Sequence, residues 1–374
     1  MSLGDTCNTS MAGEHRSFLR SVGPDERELW DQTVSGLPTG HILQSFEWGE
    51  LKERLGWRPY RIIAEAGDGA RAAALVLKRK LPVPGLSIMY VPKGPCFDPE
   101  NTGALSVLLD GLTSLARKEG ALFLRLDPDL SAEQANALQA LARAGFRRST
   151  EQVQLRNTMV VDLRPSEEEM LAKMNQSTRR NINLARRKGV EIFEGSTADI
   201  ALFHELYSET AERDSFILRR PEYYQYLWQV FLERGMARAL FARWQGEILA
   251  GCLIMHLGKK AWYLLGASRN EMRDVRPNQL VQWEAMRWAK SVGAESYDMW
   301  GLPDILEPGQ PMWGLYQFKK GFGGDLRQWA GAFDFVARPV WQRLWLRAFP
   351  LYIKLRGGTV SITGGEGAAA GDSE

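Results

Sequence analysis

The sequence predicts an α/β (α+β) fold of two tandem units, each a mixed, mostly antiparallel sheet flanked by helices. Three observations carry that expectation. The chain has 374 residues, too many for one core of ordinary size. Its 44% hydrophobic and 25% charged residues are the balance of a soluble globular protein. And one order of elements, an antiparallel meander followed by a helix and one more strand, is legible twice.

In the first copy, PYRIIAEAGDGARAAALVLKRKLP reads as a hairpin, with strands over 60–66 and 70–79 about a Gly-Asp-Gly turn. A strand over 87–95, a helix over 102–119, a strand over 121–126 and a helix over 131–144 follow. In the second copy, helices over 200–213 and 221–233 precede a hairpin of 237–244 and 248–256 about a Gln-Gly-Glu turn. A strand over 260–266, a helix over 278–292 and a strand over 296–300 complete it. This layout resembles the N-acyltransferase fold of the GNAT type, in tandem. The expected organisation is a disordered lead-in at 1–25, a first unit at 26–152 completed by 336–356, a second at 153–335 and a disordered tail at 357–374.

Composition narrows the chemistry. A net charge of +2 advertises no global field for nucleic acid, so contact with an anion has to come from local clusters. The cysteines, Cys7, Cys96 and Cys252, have spacings of neither a metal site nor a disulfide framework, which fits a reducing cytoplasm. With His15, His41, His204 and His256 scattered and no HExxH or CxxC, no metal site is expected. No apolar run reaches the length of a membrane span, and the N-terminus lacks the order of a signal peptide.

A GNAT enzyme receives the pyrophosphate of acetyl-CoA on backbone amides of a glycine-containing loop that opens a helix. The equivalent stretch of the second copy, SRNEMRDVRPNQL, has no glycine, and FDPENTG of the first is acidic. The expectation is an acyl-transfer scaffold with a different donor and no cofactor.

Five local motifs stand out: QSFEWGELKERLGW (44–57), with Trp48 and Lys52 on one helix face; VPKGPCFD (91–98), ending in Asp98; the basic MNQSTRRNINLARRKGVEI (174–192); YSETAERDSFILR (207–219), with Arg213; and YDMWGLP (297–303), followed by GLYQFKKGFGG (314–324). Together, in this order, they resemble the Fem family of peptidoglycan cross-bridge aminoacyltransferases over about 44–356. The resemblance implies an aminoacyl-tRNA donor and, as acceptor, an amine on a UDP-linked or lipid-linked muropeptide precursor. It implies that Lys52 and Arg213 bind acceptor phosphates. It implies that Phe318 and Lys319 form the catalytic centre, with Lys319 stabilising the oxyanion, and it places Tyr316, Asp98 and Trp48 on the substrate side. Many members carry a coiled-coil arm in the second domain; 207–261 leaves no room for one, which makes this a compact form. A cytoplasmic monomer, working in solution or at the inner membrane face, is expected.

The chemistry asks for the same residue types. Aminolysis of an ester needs a free amine, a positioned carbonyl and a donor for the tetrahedral oxyanion, and the tRNA ester is already activated. No protein nucleophile is required, and no Ser/His/Asp or Cys/His set is present. Each residue also has a plainer reading. Lys319 beside glycines is by itself a solvated lysine on a turn, Lys52 a surface charge, Arg213 the partner of Asp214, and Asp98 a cap for the helix near Thr102. Trp48, Trp57 and Trp300 read as core. The basic run 179–188 is a solvated face or a contact for the tRNA acceptor stem. The segment 338–356 interleaves Trp341, Trp345, Phe349 and Tyr352 with arginines; it is expected to pack back on the first unit, with a peripheral membrane foot as the alternative. Two competing functions remain: an N-acyltransferase with another thioester donor in polysaccharide or lipid modification, and a non-catalytic muropeptide-binding module.

Overall fold

The computed structural model describes residues 17–214, 216–344 and 347. The first unit runs β1 (Phe18–Ser21), α1 (Arg27–Gly36), α2 (Phe46–Arg54), β2 (Arg58–Glu65), β3 (Arg71–Lys80), β4 (Ser87–Val91), α3 (Gly103–Lys118), β5 (Ala121–Leu126), α4 (Ala135–Arg143) and β6 (Arg147–Arg148). The second runs β7 (Asn157–Asp162), α5 (Glu167–Lys173), α6 (Gln176–Arg187), β8 (Glu191–Gly195), α7 (Ile200–Asp214), α8 (Pro221–Leu232), β9 (Ala237–Trp244), β10 (Glu247–Leu257), β11 (Lys260–Ser268), α9 (Pro277–Ser291), β12 (Ser296–Leu302), α10 (Trp313–Lys320) and β13 (Asp325–Gln328). The chain then returns to the first sheet as β14 (Phe333–Val336).

Each unit forms a seven-stranded sheet, ordered β1-β2-β3-β4-β5-β14-β6 and β13-β7-β12-β11-β10-β9-β8. The repeated grammar is real. In both, an antiparallel meander (β2-β3-β4 and β9-β10-β11) is followed by a helix and one parallel pairing, β4 with β5 across α3 and β11 with β12 across α9. A parallel pair needs such a crossover, because its second strand has to be re-entered from the same end.

The inner faces of both sheets share one core. Leu75, Tyr90 and Leu122 of the first sheet and Phe241, Met255 and Trp262 of the second pack with Trp30, Trp48, Phe203 and Trp228 of the helices between them. Each outer face has its own cover, α3 and α4 on the first sheet, α6 and α9 on the second. Local chemistry sets the helix starts: Ser45 Oγ accepts from Trp48 N at 3.1 Å to open α2, and a Ser166–Glu169 capping box opens α5.

Four expectations need correction. The lead-in is ordered in part, since β1 pairs antiparallel with β2 from Phe18 to Ser21. Asp98 does not cap α3: its Oδ1 accepts from Glu100 N at 3.0 Å, and Asn101 Oδ1 takes the Gly103 amide at 3.2 Å. GLYQFKKGFGG is no glycine turn, because Trp313–Lys320 is helical and only Gly321 to Gly324 turn away from it. The segment after β14 touches Leu122 O through Ala337 N and Arg338 N, yet Val340, Trp341 and Leu344 stand exposed instead of packing on the first unit. Residues 348–356 and the expected tail at 357–374 lie outside the described residues.

Candidate active site

The site is built around a defect in β12. Its pairing with β7 slips between Asp298 and Gly301, so that three steps along β12 match two along β7. That is a bulge, and Trp300 takes it up at φ +63°, left-handed backbone that a bulky residue adopts only under constraint. The constraint is visible. Asp298 Oδ1 accepts from Trp300 N at 2.7 Å and from Thr158 Oγ1 of β7. Gly301 is needed here, because a Cβ on it would lie 2.6 Å from Leu155 Cδ1.

Lys319, in the last turn of α10, points into this bulge. Its Nζ donates to Gly301 O at 2.8 Å and Trp300 O at 3.1 Å, and the residue is only 4% exposed. An ammonium has three donors, so one remains to point elsewhere. Burial pulls the Lys319 amine down to about 7, against the opposing pull of the Asp298 carboxylate. Phe318 is half-buried on the second core, edge-on to Phe322. Tyr316 is half-buried beside Trp313, and Lys320 is exposed above the Tyr316 ring.

The first unit meets this bulge with a buried polar cluster. The fully buried His41 ring lies 4.8 Å from Trp262 and 5.4 Å from Trp300, and burial holds it neutral, at about 3. Lys260 at the start of β11 donates to Pro38 O at 2.5 Å and Gly40 O at 3.0 Å, tying the units together. Beyond β5, Asp127 accepts from Tyr90 Oη at 2.6 Å and Lys93 N at 2.5 Å, while Lys93 Nζ bonds Asp129 at 2.9 Å. Burial pushes the Asp127 carboxyl up to about 7, and it raises Asp298 too, with the charge of Asp129 adding to the effect.

A cluster of cations and aromatic rings lies between α2 and the start of α8. Lys52 is buried, with its ammonium 4.8 Å above the Trp48 ring and 5.5 Å from that of Tyr223; Arg219 stands 4.8 Å from the same Tyr223 ring. Burial, then the cations of Arg219 and Arg79, pull the Lys52 amine well below its ordinary value. Trp48 is wholly buried and supplies the face on which Lys52 rests. Arg213 sits in the last turn of α7. It donates to Ser268 O at 2.9 Å, Asn270 Oδ1 at 3.0 Å and Asp214, pinning the end of α7 to the end of β11.

The structure buries both lysines that the sequence singled out, Lys319 and Lys52, and adds neighbours that sequence reasoning missed: Thr158, Asp298 and Trp300 in one place, Arg219 and Tyr223 in the other. Asp127 and Asp129 could have been noticed as a carboxylate pair just past a buried strand, in RLDPD. The basic run of α6 is largely engaged. Arg179 donates to Ala172 O at 3.0 Å and Met174 O at 2.6 Å, Arg186 pairs with Glu284 and Lys188 with Asp274, which leaves Arg180 and Arg187 facing outward. In the loop before α9, Arg269 pairs with Glu205 and Asn270 N donates to Glu209, and the helix begins with Pro277.

The FemAB family model matches residues 26–243, more than half of the chain. The chain belongs to the FemAB family. An acetyltransferase (GNAT) domain model also matches residues 172–320, and the chain is an acyltransferase. A lipid II:glycine glycyltransferase of Staphylococcus aureus (strain USA300) is 27% identical, over 83% of this chain and 92% of that protein. The crystal structure of FemX superposes with a TM-score of 0.80 at 25% identity, covering 88% of this chain and 99% of that one. A tandem GNAT protein from the clavulanic acid biosynthesis pathway shares the fold, with a TM-score of 0.51 at 15% identity over 87% of this chain and 99% of that one. Both expected features of the FemAB chain, the tandem GNAT-like fold and the Fem resemblance, are therefore correct.

Proposed function

We propose that this FemAB protein transfers an amino acid from aminoacyl-tRNA to the side-chain amine of a lipid-linked muropeptide, the step that builds a peptidoglycan cross-bridge. The observation that carries the reading is the buried Lys319 ammonium, aimed by two carbonyls and keeping one N–H, in a chain similar to a lipid II:glycine glycyltransferase. The acceptor amine attacks the ester carbonyl, and the carbonyl oxygen becomes an oxyanion to which Lys319 donates. The intermediate collapses with cleavage of the bond to the ribose oxygen, which leaves with the proton released by the attacking nitrogen. An oriented donor of this kind in a water-poor site is worth about 10²–10³ in rate. Lys52 and Arg219 would hold the acceptor diphosphate through charge-assisted bonds, and an anion there relieves the repulsion that weakens the Lys52 ammonium.

Two protons govern the pH dependence, since the acceptor amine has to be free and Lys319 charged. Once rates are corrected for the fraction of free amine, the alkaline limb belongs to Lys319.

The test is incubation of purified protein with charged tRNA pools and either lipid-linked or UDP-linked muropeptide, read as a mass gain on the peptide. A gain on the lipid-linked arm supports the reading, and a gain on the UDP-linked arm alone moves the acceptor to the soluble precursor. No gain on either, with any amino acid, overturns it.

A further inference from the structure

Lys319 owes its aim to backbone that is out of its ordinary conformation. The Trp300 and Gly301 carbonyls accept from one ammonium only because Trp300 is left-handed. Relaxing that residue to ordinary strand geometry would turn the peptide between them. A tryptophan at φ +63° is strained and persists only where its surroundings impose it. Among the described contacts, Asp298 is what imposes it. One of its oxygens takes the Trp300 amide, at the head of the bulge, and the Thr158 hydroxyl from the neighbouring strand. The Thr158 hydroxyl also lies 3.0 Å from Trp300 O, the carbonyl that faces Lys319. The clamp therefore touches both ends of the strained residue. The Asp298 residue as a whole is half-buried.

We infer that Asp298 is a positioning residue for Lys319: through the Trp300 amide and Thr158 it holds the bulge whose carbonyls orient the ammonium. Its carboxylate also opposes the burial that lowers the Lys319 amine. The inference rests on the reading of Lys319 given above. The other charged groups that act on Asp298 are Asp129 and Lys93 from the first unit and Lys260 on β11, and among the described residues its carboxylate is the charge that acts on Lys319. Asp298 need not touch substrate, and its loss should therefore appear in turnover and in protonation, not in acceptor affinity.

The experiment compares Asp298→Asn with the wild-type protein across pH in the transfer assay. Asparagine preserves the shape and an oxygen for the Trp300 amide, and removes the charge. The expected result is an amine-corrected alkaline limb displaced to lower pH by about one unit, with kcat down roughly 10-fold at pH 8 and the muropeptide KM unchanged. An unmoved limb, or a change in KM alone, overturns the inference. Should Asp298→Asn not fold, Thr158→Val removes one leg of the clamp without changing volume. A kcat lowered about 3-fold at constant KM supports the clamp, at the energy of a lost neutral hydrogen bond, and full activity sinks it. Lys319→Met separates the two levels. If Lys319→Met turns over normally, the reading of Lys319 falls and Asp298 falls with it; if it is inactive while Asp298→Asn keeps the wild-type limb, only the present inference is wrong.

Discussion

At the scale of single residues, the chain keeps two lysines out of water for different ends. Lys319 faces carbonyls, and Lys52 faces aromatic rings and other cations. Lys319→Met is expected to lower turnover by about 10²–10³ while leaving muropeptide binding intact, whereas Lys320→Met, which alters an exposed neighbour, should leave both unchanged. A steady-state assay with a binding measurement decides between them. Because burial brings Lys319 down to about 7, the ammonium is complete below that value and is lost above it. The amine-corrected rate should accordingly be flat at acid pH and fall toward tenfold per unit once pH passes about 7. For the acceptor phosphates, Arg219→Ala should raise the muropeptide KM about 10-fold or more, the scale of a charge-assisted bond. Arg213→Ala should leave KM alone and lower the melting temperature, since its partners are Ser268, Asn270 and Asp214. The opposite pattern in the two KM values would restore Arg213 to the phosphates.

At the scale of elements, the bulge in β12 is what turns two strand carbonyls onto the Lys319 ammonium. It tolerates no side chain at 301: Gly301→Ala should cost about 1–3 kcal/mol by overpacking against Leu155, and Leu155→Ala in the same chain should recover part of it. Chemical denaturation of the two variants checks this. Elements of this kind mark the limit of reading a sequence. The meanders, α3, α7, α8 and α9 were legible because apolar spacing and turn residues are local signals, and β5 fell at its expected bounds. The bulge was not, since YDMWGLP carries no glycine at its left-handed position, and the Asp298 that holds Trp300 there works together with Thr158, far away in sequence. Helix α10 was misread for a related reason. Its flanking glycines look like a turn, while Trp313, Tyr316 and Phe318 make a helix by packing beside β12 and the second core. Arg213 and Arg219 are six positions apart on a chain that turns between α7 and α8, and only the tertiary fold shows which one meets Lys52.

At the scale of the whole molecule, the two sheets share a core instead of meeting through a linker, so both cationic sites are carried on one body. No helix among the described residues is long and apolar enough to cross a membrane. The lipid-linked acceptor proposed above would have to be met at a bilayer, and the exposed Val340, Trp341 and Leu344, interleaved with Arg338 and Arg343, offer an amphipathic contact suited to an anionic surface. Flotation with anionic vesicles should carry the protein upward, and Trp341→Glu should reduce the floated fraction several-fold without changing turnover on a soluble acceptor. Equal flotation of the two proteins would remove this surface from consideration.

The position of β14 has a consequence for how the molecule is made. It lies between β5 and β6, although nearly two hundred residues are synthesised after β6 before it appears. Until Val336 has cleared the ribosome, β5 presents a bare edge to the cell, and the loop that follows it carries Asp127 and Asp129 toward the catalytic seam. An uncovered edge is a template for pairing with other chains. The nascent protein therefore cannot finish its first half first: the start of the chain waits on nearly its last described strand, and assembly of the active site becomes a late event in translation.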